Sequence, residues 1–239
     1  MLTIIALALW GLKRHYATAE VGELAWTLKP VASLSALVSG TTFEWEPGSG
    51  YLSRERLFVI AKPCAGVNFM LAAFGMVGFL LSARALSWRA AAMLTAQSLA
   101  VGYAAAVLAN TLRIVVALWL AAHPIATGWL TAPRIHRLEG VVVYFGVLVA
   151  LHIVVQHMDT MMAGFRRVRV PLVSYYVVTV LLPLANGSGN TSRAFLEHMA
   201  FVLFAPPALL ALVALFRHAW RKARMLVPCP SSMRRTTSA

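Results

Sequence analysis

The chain has 239 residues, of which 60% are hydrophobic and only 12% charged, and its mean hydropathy is +0.74. A soluble domain carries about 25% charged residues, so lipid rather than water is the main solvent here. The formal charge of +13 sits in short clusters between apolar runs, with no separate basic domain and no basic stripe interleaved with aromatics, which argues against nucleic acid as a partner.

A spanning helix needs about 20 predominantly apolar residues. The first apolar stretch, residues 1–12, is shorter than that, and Lys13 and Arg14 follow it instead of preceding it. With no convincing small-residue cleavage site, this pattern argues against a removed signal peptide. Residues 24–40 are mixed, with Leu24, Leu28, Val31, Leu34, Leu37 and Val38 favouring one face, and they read equally as a span or as an interfacial amphipathic helix. Residues 41–62 mix charges of both signs with Pro47, Gly48 and Gly50 and read as a polar loop that meets the membrane again at Pro63. Strong spans are predicted at 65–82, 90–109, 140–156, 171–185 and 198–216. The expected fold class is therefore all-α, a polytopic membrane bundle of about six to eight helices. Residues 1–220 would form one transmembrane domain, and 221–239 a basic tail expected to be disordered.

Positive charge is held in cytoplasmic loops. Arg84 and Arg89, the cluster of Arg166, Arg167 and Arg169, and the basic stretch 217–235 are accordingly assigned to the cytoplasm, which turns residues 41–63, 110–139 and 186–197 outward. Span 90–109 then runs outward and span 140–156 inward, so the apolar stretch 114–122 is expected to start and end near the outer face, as a re-entrant or interfacial helix. An inside amino terminus leaves Lys13 and Arg14 outside; if residues 24–40 span, the terminus flips. Cys64, Arg113 and His136 all fall at outer helix ends under this topology, which made no use of them.

Cys64 lies in Lys62-Pro63-Cys64-Ala65-Gly66-Val67-Asn68-Phe69, where small residues open a helix. Helix N-terminal amides favour a thiolate, which is the nucleophilic form, although a membrane cysteine also serves simply as a small hydrophobe. Arg113 is flanked by apolar residues; an intramembrane charge is costly and marks a functional site by default, while a position near a helix end also permits snorkelling. His136 stands immediately before a span and can take and return a proton near neutral pH, or act merely as an interfacial polar group. His152 is 16 residues further along the same predicted helix, about 24 Å away at ~1.5 Å per residue, too far to share a site with Cys64. His123, His157, His198 and His218 read as interface or tail residues, and no set has paired metal-ligand spacing, so neither a metal nor a cofactor is expected. Cys229, in the basic tail on the opposite side from Cys64, reads as a spectator and not as a disulfide partner.

Taken together, Cys-Ala-Gly-Val-Asn-Phe opening a helix, Asn110-Thr111-Leu112-Arg113 after the next long span, and His136 followed by Glu139-Gly140 resemble the exosortase family of bacterial transmembrane sorting enzymes. The stretch from Phe43 to Glu46 and from Ser53 to Ala61 looks most like the exosortase K branch. The resemblance covers roughly residues 1–220, with two departures: Ala65 stands where many members have Ser, and Glu139 falls three residues after His136 where many have an acid directly after the His. It implies a cysteine transpeptidase or protease of the bacterial inner membrane, with its site near the outer face, that cleaves C-terminal sorting signals of the PEP-CTERM class from exported proteins. In that reading Cys64 is the nucleophile, His136 the general acid and base, and Arg113 the donor to the oxyanion, with Asn110 orienting Arg113 and Asn68 supporting the site.

Two other classes stand beside it. A small transporter would line a polar path with Arg113 and His136, but the spans carry few ionisable residues and the one Asp, Asp159, lies in a loop. An accessory subunit of envelope or exopolysaccharide assembly would tolerate loss of Cys64. A serine intramembrane protease is disfavoured: no Gly-x-Ser-x-Gly elbow occurs, and Ser188 sits in an outer loop without a partner base.

Overall fold

Helix α1 (Leu2–Thr18) is followed by α2 (Ala25–Ser39), a sheet of β1 (Glu44–Glu46), β2 (Gly50–Ser53) and β3 (Phe58–Ile60), then α3 (Val67–Leu81), α4 (Trp88–Ala122), α5 (Ala132–His157), α6 (Arg166–Tyr176) with a π-helical turn (Val177–Leu181), and α7 (Arg193–Met225). The structure, a computed structural model, describes residues 1–123, 131–157, 166–181, 184 and 193–225. Among these residues, four helices are long and apolar enough to cross a membrane: Lys62–Arg84, Trp88–Ala122, Pro133–Gln156 and Phe195–Leu215. A mostly helical membrane bundle fits them.

Lipid tails are as apolar as leucine, so membrane helices gain little from hydrophobicity and associate through close packing at small residues. α3 is the buried centre of this arrangement, with Phe69, Met70, Leu71, Phe74, Met76 and Val77 all inside. Gly102 brings α4 onto the α3 backbone, where a Cβ would stand 2.9 Å from the Phe74 nitrogen and 3.1 Å from the Met70 carbonyl oxygen. On another side of α3, Gly75 and Gly78 receive Leu9 and Ile5 of α1, and a Cβ at Gly78 would stand 2.6 Å from Ile5 Cδ1. Because Ile5 meets Gly78, Leu9 meets Gly75 and Lys13 meets Asn68, α1 runs antiparallel to α3. The amino terminus is therefore at the end of the bundle occupied by the turn after α3, and Lys13 is at the end occupied by Cys64.

Several expectations need correction. The stretch 114–122 is not a separate re-entrant or interfacial helix: α4 is continuous over 35 residues, about 52 Å at ~1.5 Å per residue, longer than a bilayer's hydrocarbon core. Nothing between Ala109 and Ile114 breaks a helix, and Asn110 and Thr111 return their side-chain hydrogen bonds to the carbonyls of Ala106 and Val107 at 2.9 Å. The fold is also not purely α. Within the polar loop 41–62, Trp45 pairs with Tyr51 and Leu52 with Val59 in an antiparallel three-stranded sheet, whose strands of three or four residues are too short to display a period of two. Gly48 and Gly50, at φ +79° and +117°, supply the turn conformations that other residues resist.

The predicted span 171–185 is represented by a shorter apolar helix, Val170–Leu181. Helix α7 continues to Met225. Asp159, Ser188, Cys229 and the tail from 226 onward lie outside the described residues.

The antiparallel α1–α3 pairing predicts the sidedness of the ends. In a background carrying both Cys64→Ala and Cys229→Ala, single cysteines at Leu2 and Ala85 should react with an impermeant maleimide from one side of sealed vesicles, and a cysteine at Gly48 from the other. Labelling of the Leu2 and Gly48 positions from the same side would refute this arrangement.

Candidate functional site

Cys64 sits in a short 3-10 turn (Lys62–Ala65) between the sheet and α3. Pro63 suits the start of that turn because it lacks the N–H that would go unbonded there. The sequence placed the thiol on the opening of the helix proper; instead it lies one turn earlier, because Gly66 at φ +67° reverses the chain before α3 begins at Val67. The Cys64 amide donates to the Ala61 carbonyl at 2.8 Å, and the side chain is half-buried.

The turn is tied down on both sides. Lys62 Nζ donates to the Ala19 carbonyl at 2.6 Å and the Ala17 carbonyl at 3.3 Å, completing carbonyls at the end of α1, while Tyr16 Oη donates to the Lys62 carbonyl at 3.2 Å. On the α4 side, Gly66 lies directly against the Asn110 side chain, in space that any Cβ would claim.

Arg113 on α4 and His136 on α5 are in direct contact, with Arg113 Nη2 3.1 Å from His136 Nε2. Arg113 Nη1 donates to Tyr144 Oη at 3.1 Å, and the guanidinium carbon stands 5.4 Å from the Tyr144 ring centre. Tyr144 in turn donates to Asn110 Oδ1 at 2.5 Å and stacks on Phe69 with ring centres 5.2 Å apart. Glu139 Oε2 lies 3.8 Å from Arg113 Nε and 3.6 Å from His136 Nδ1. Gly140 makes room for this packing, since a Cβ there would stand 2.9 Å from Arg113 Nε.

Arg113 and His136 are thus brought together, and Asn110 joins them through Tyr144. Cys64 lies at the same end, within electrostatic range of the Arg113 guanidinium and of Glu139. Its thiol makes no hydrogen bond to Arg113 or His136 among the described residues. Asn68 does not join the cluster: it accepts a 2.6 Å hydrogen bond from Lys13 Nζ and so fastens α1 to α3. His152 is fully buried elsewhere on α5.

Sequence reasoning missed Tyr144, Tyr16, Lys62 and Lys13, and it treated Glu139 only as a departure from a pattern. Glu139 was within reach, because three residues after His136 on a helix is the same face. Tyr16 and Lys62 carried no signal, since their contacts depend on how α1 meets the turn. No set of three or more His, Cys, Asp or Glu among the described residues has metal-holding geometry.

What the cluster offers chemically is a thiol, an imidazole, and a guanidinium whose five N–H donors exceed its three protein contacts. Gly66→Ala should destabilise the protein by about 1–3 kcal/mol through backbone strain alone, with further loss from displacing Asn110. Thermal unfolding in detergent should show this drop, and a melting temperature equal to wild type would mean that the Gly66–Asn110 contact does not hold the turn. No protein-family model, curated protein or solved structure matches the chain.

Proposed function

We propose that the chain is a membrane-embedded cysteine transpeptidase or protease, exosortase-like, that cleaves C-terminal sorting signals of the PEP-CTERM class from exported proteins. Its setting is the bacterial inner membrane, with the Cys64 end outward and the carboxy-terminal tail cytoplasmic. Shorter helices α1, α2 and α6 join the four long ones, giving seven membrane helices, within the expected six to eight. The observation that carries this reading is the direct Arg113–His136 contact at the end of the bundle where the Cys64 turn packs on Asn110.

In the proposed reaction the Cys64 sulfur attacks the scissile carbonyl carbon, and its proton passes to His136. The carbonyl oxygen becomes an oxyanion that accepts N–H groups of Arg113, an interaction stronger in the transition state than in the ground state. Collapse breaks the C–N bond, and His136 returns the proton to the leaving amine, leaving a Cys64 thioester. Water or an acceptor amine then attacks the thioester, with His136 taking the proton, and Cys64 is regenerated.

His136 Nε2 faces Arg113 before substrate arrives. Movement of an Arg113 N–H from Nε2 to the oxyanion would free the Nε2 lone pair when a proton needs it. The imidazole is half-exposed and the thiol half-buried.

The test is processing of a tagged PEP-CTERM-type protein in cells, read as a size shift on a gel. Cys64→Ala should abolish processing while Cys229→Ala leaves it intact, and Arg113→Lys should slow it by roughly a hundredfold or more, the scale of losing an oxyanion donor. Undiminished processing by Cys64→Ala would reject the thiol mechanism and favour a transporter or accessory subunit.

A further inference from the structure

We infer that Glu139 is a positioning residue that fixes the His136 imidazole in the tautomer with its proton on Nδ1 and seats Arg113 beside it; its effect on acyl transfer rests on the function proposed above. A guanidinium has donors only and stays protonated. The 3.1 Å contact of Arg113 Nη2 with His136 Nε2 therefore makes Nε2 the acceptor and leaves the proton of the neutral ring on Nδ1. That nitrogen faces Glu139 Oε2 at 3.6 Å. Among the described residues, no other carboxylate lies within ion-pair distance of Arg113 or His136.

The surroundings of Glu139 point the same way. Its side chain is only 6% exposed, and neither carboxylate oxygen has a hydrogen-bond partner. Arg113 Nε is likewise buried without one, 3.8 Å from Oε2. Buried donors and acceptors are costly when unsatisfied, so closing both short gaps onto one carboxylate is favoured. Such a closure holds the imidazole and the guanidinium in a single arrangement. Helix geometry permits it because His136, Glu139 and Gly140 share a face of α5, and Gly140 presents no side chain to keep Arg113 away.

Two consequences follow for catalysis. A fixed Nδ1–H leaves Nε2 as the basic nitrogen, the one Arg113 would release to an incoming substrate. A carboxylate behind the ring also stabilises the imidazolium formed when the thiol proton transfers, as the orienting acid does in nucleophile–base–acid triads.

The experiment uses full-length protein carrying 15N-histidine in lipid nanodiscs, with the His136 signals assigned by their loss in His136→Gln. Wild type at mildly alkaline pH should give the shifts of a single Nδ1–H tautomer, Glu139→Asp should retain it, and Glu139→Leu should give a mixture. An Nε2–H tautomer in wild type would overturn the inference, as would an unmixed Nδ1–H signal in a folded Glu139→Leu protein. If the Leu variant does not fold, Glu139→Ala takes its place, with a mixture expected and an unmixed Nδ1–H signal overturning the inference. In peptide cleavage, Glu139→Asp should exceed Glu139→Leu by at least about tenfold in kcat at similar KM. Absence of cleavage by wild type would sink the proposed function and leave the tautomer result standing.

Discussion

A guanidinium at the end of an apolar bundle is the constraint from which the rest of this site can be derived. Arg113 is only 14% exposed, and insertion scales put an arginine at a membrane helix centre at roughly 2.5–3.5 kcal/mol. Its position is tolerable because each direction of the group finds a partner: Glu139 beside Nε, Tyr144 at Nη1 and beneath the carbon, and His136 at Nη2. All three partners come from α5, so the charge on α4 fixes how the two helices meet. Removing one partner would leave part of a buried charge uncompensated, which costs far more than an exposed pair is worth.

Through Tyr144 and Asn110 the same network reaches the Cys64 turn, since Asn110 occupies the space a side chain at Gly66 would need. The opposite side of the turn is held by α1, whose final carbonyls accept from Lys62 and whose Tyr16 caps the Lys62 carbonyl. Lys13 bound to Asn68 keeps α1 in register with α3. A thiol in a loop between a sheet and a helix thereby acquires a position fixed from two sides. That placement is what a nucleophile needs, because a misplacement of about 1 Å can cost about a hundredfold in rate.

The parts of this arrangement that were legible in the sequence are those set by local chemistry. Apolar length located the four long helices, although predicted span 90–109 stops short of α4 and predicted span 171–185 corresponds to the shorter Val170–Leu181, and two of the residues singled out in the sequence, Arg113 and His136, are in direct contact. The continuity of α4 was misread because loop charge dictated where chain ends should lie, whereas the helix simply extends further, with Asn110 and Thr111 bonded to its own carbonyls. The sheet was missed because strands of three or four residues carry little pattern. Asn68 was assigned to the site by proximity along the chain, and its partner Lys13 could emerge only from the antiparallel packing of α1. Glu139 and Tyr144 follow His136 at helical spacings that bring them to the Arg113 side, and Gly140 stands in the motif itself, but that this glycine lets the arginine approach is visible only in three dimensions.

The central claim is that Cys64 carries the acyl group during the reaction. Intact-mass analysis of purified protein quenched in acid during turnover of a sorting-signal peptide tests it most directly. The account predicts an adduct equal to the amino-terminal peptide fragment, mapped to Cys64 by proteolysis and discharged by neutral hydroxylamine. Cleavage of the peptide under the same conditions, with Cys64 unmodified at every quench time and an adduct on another residue, would contradict it.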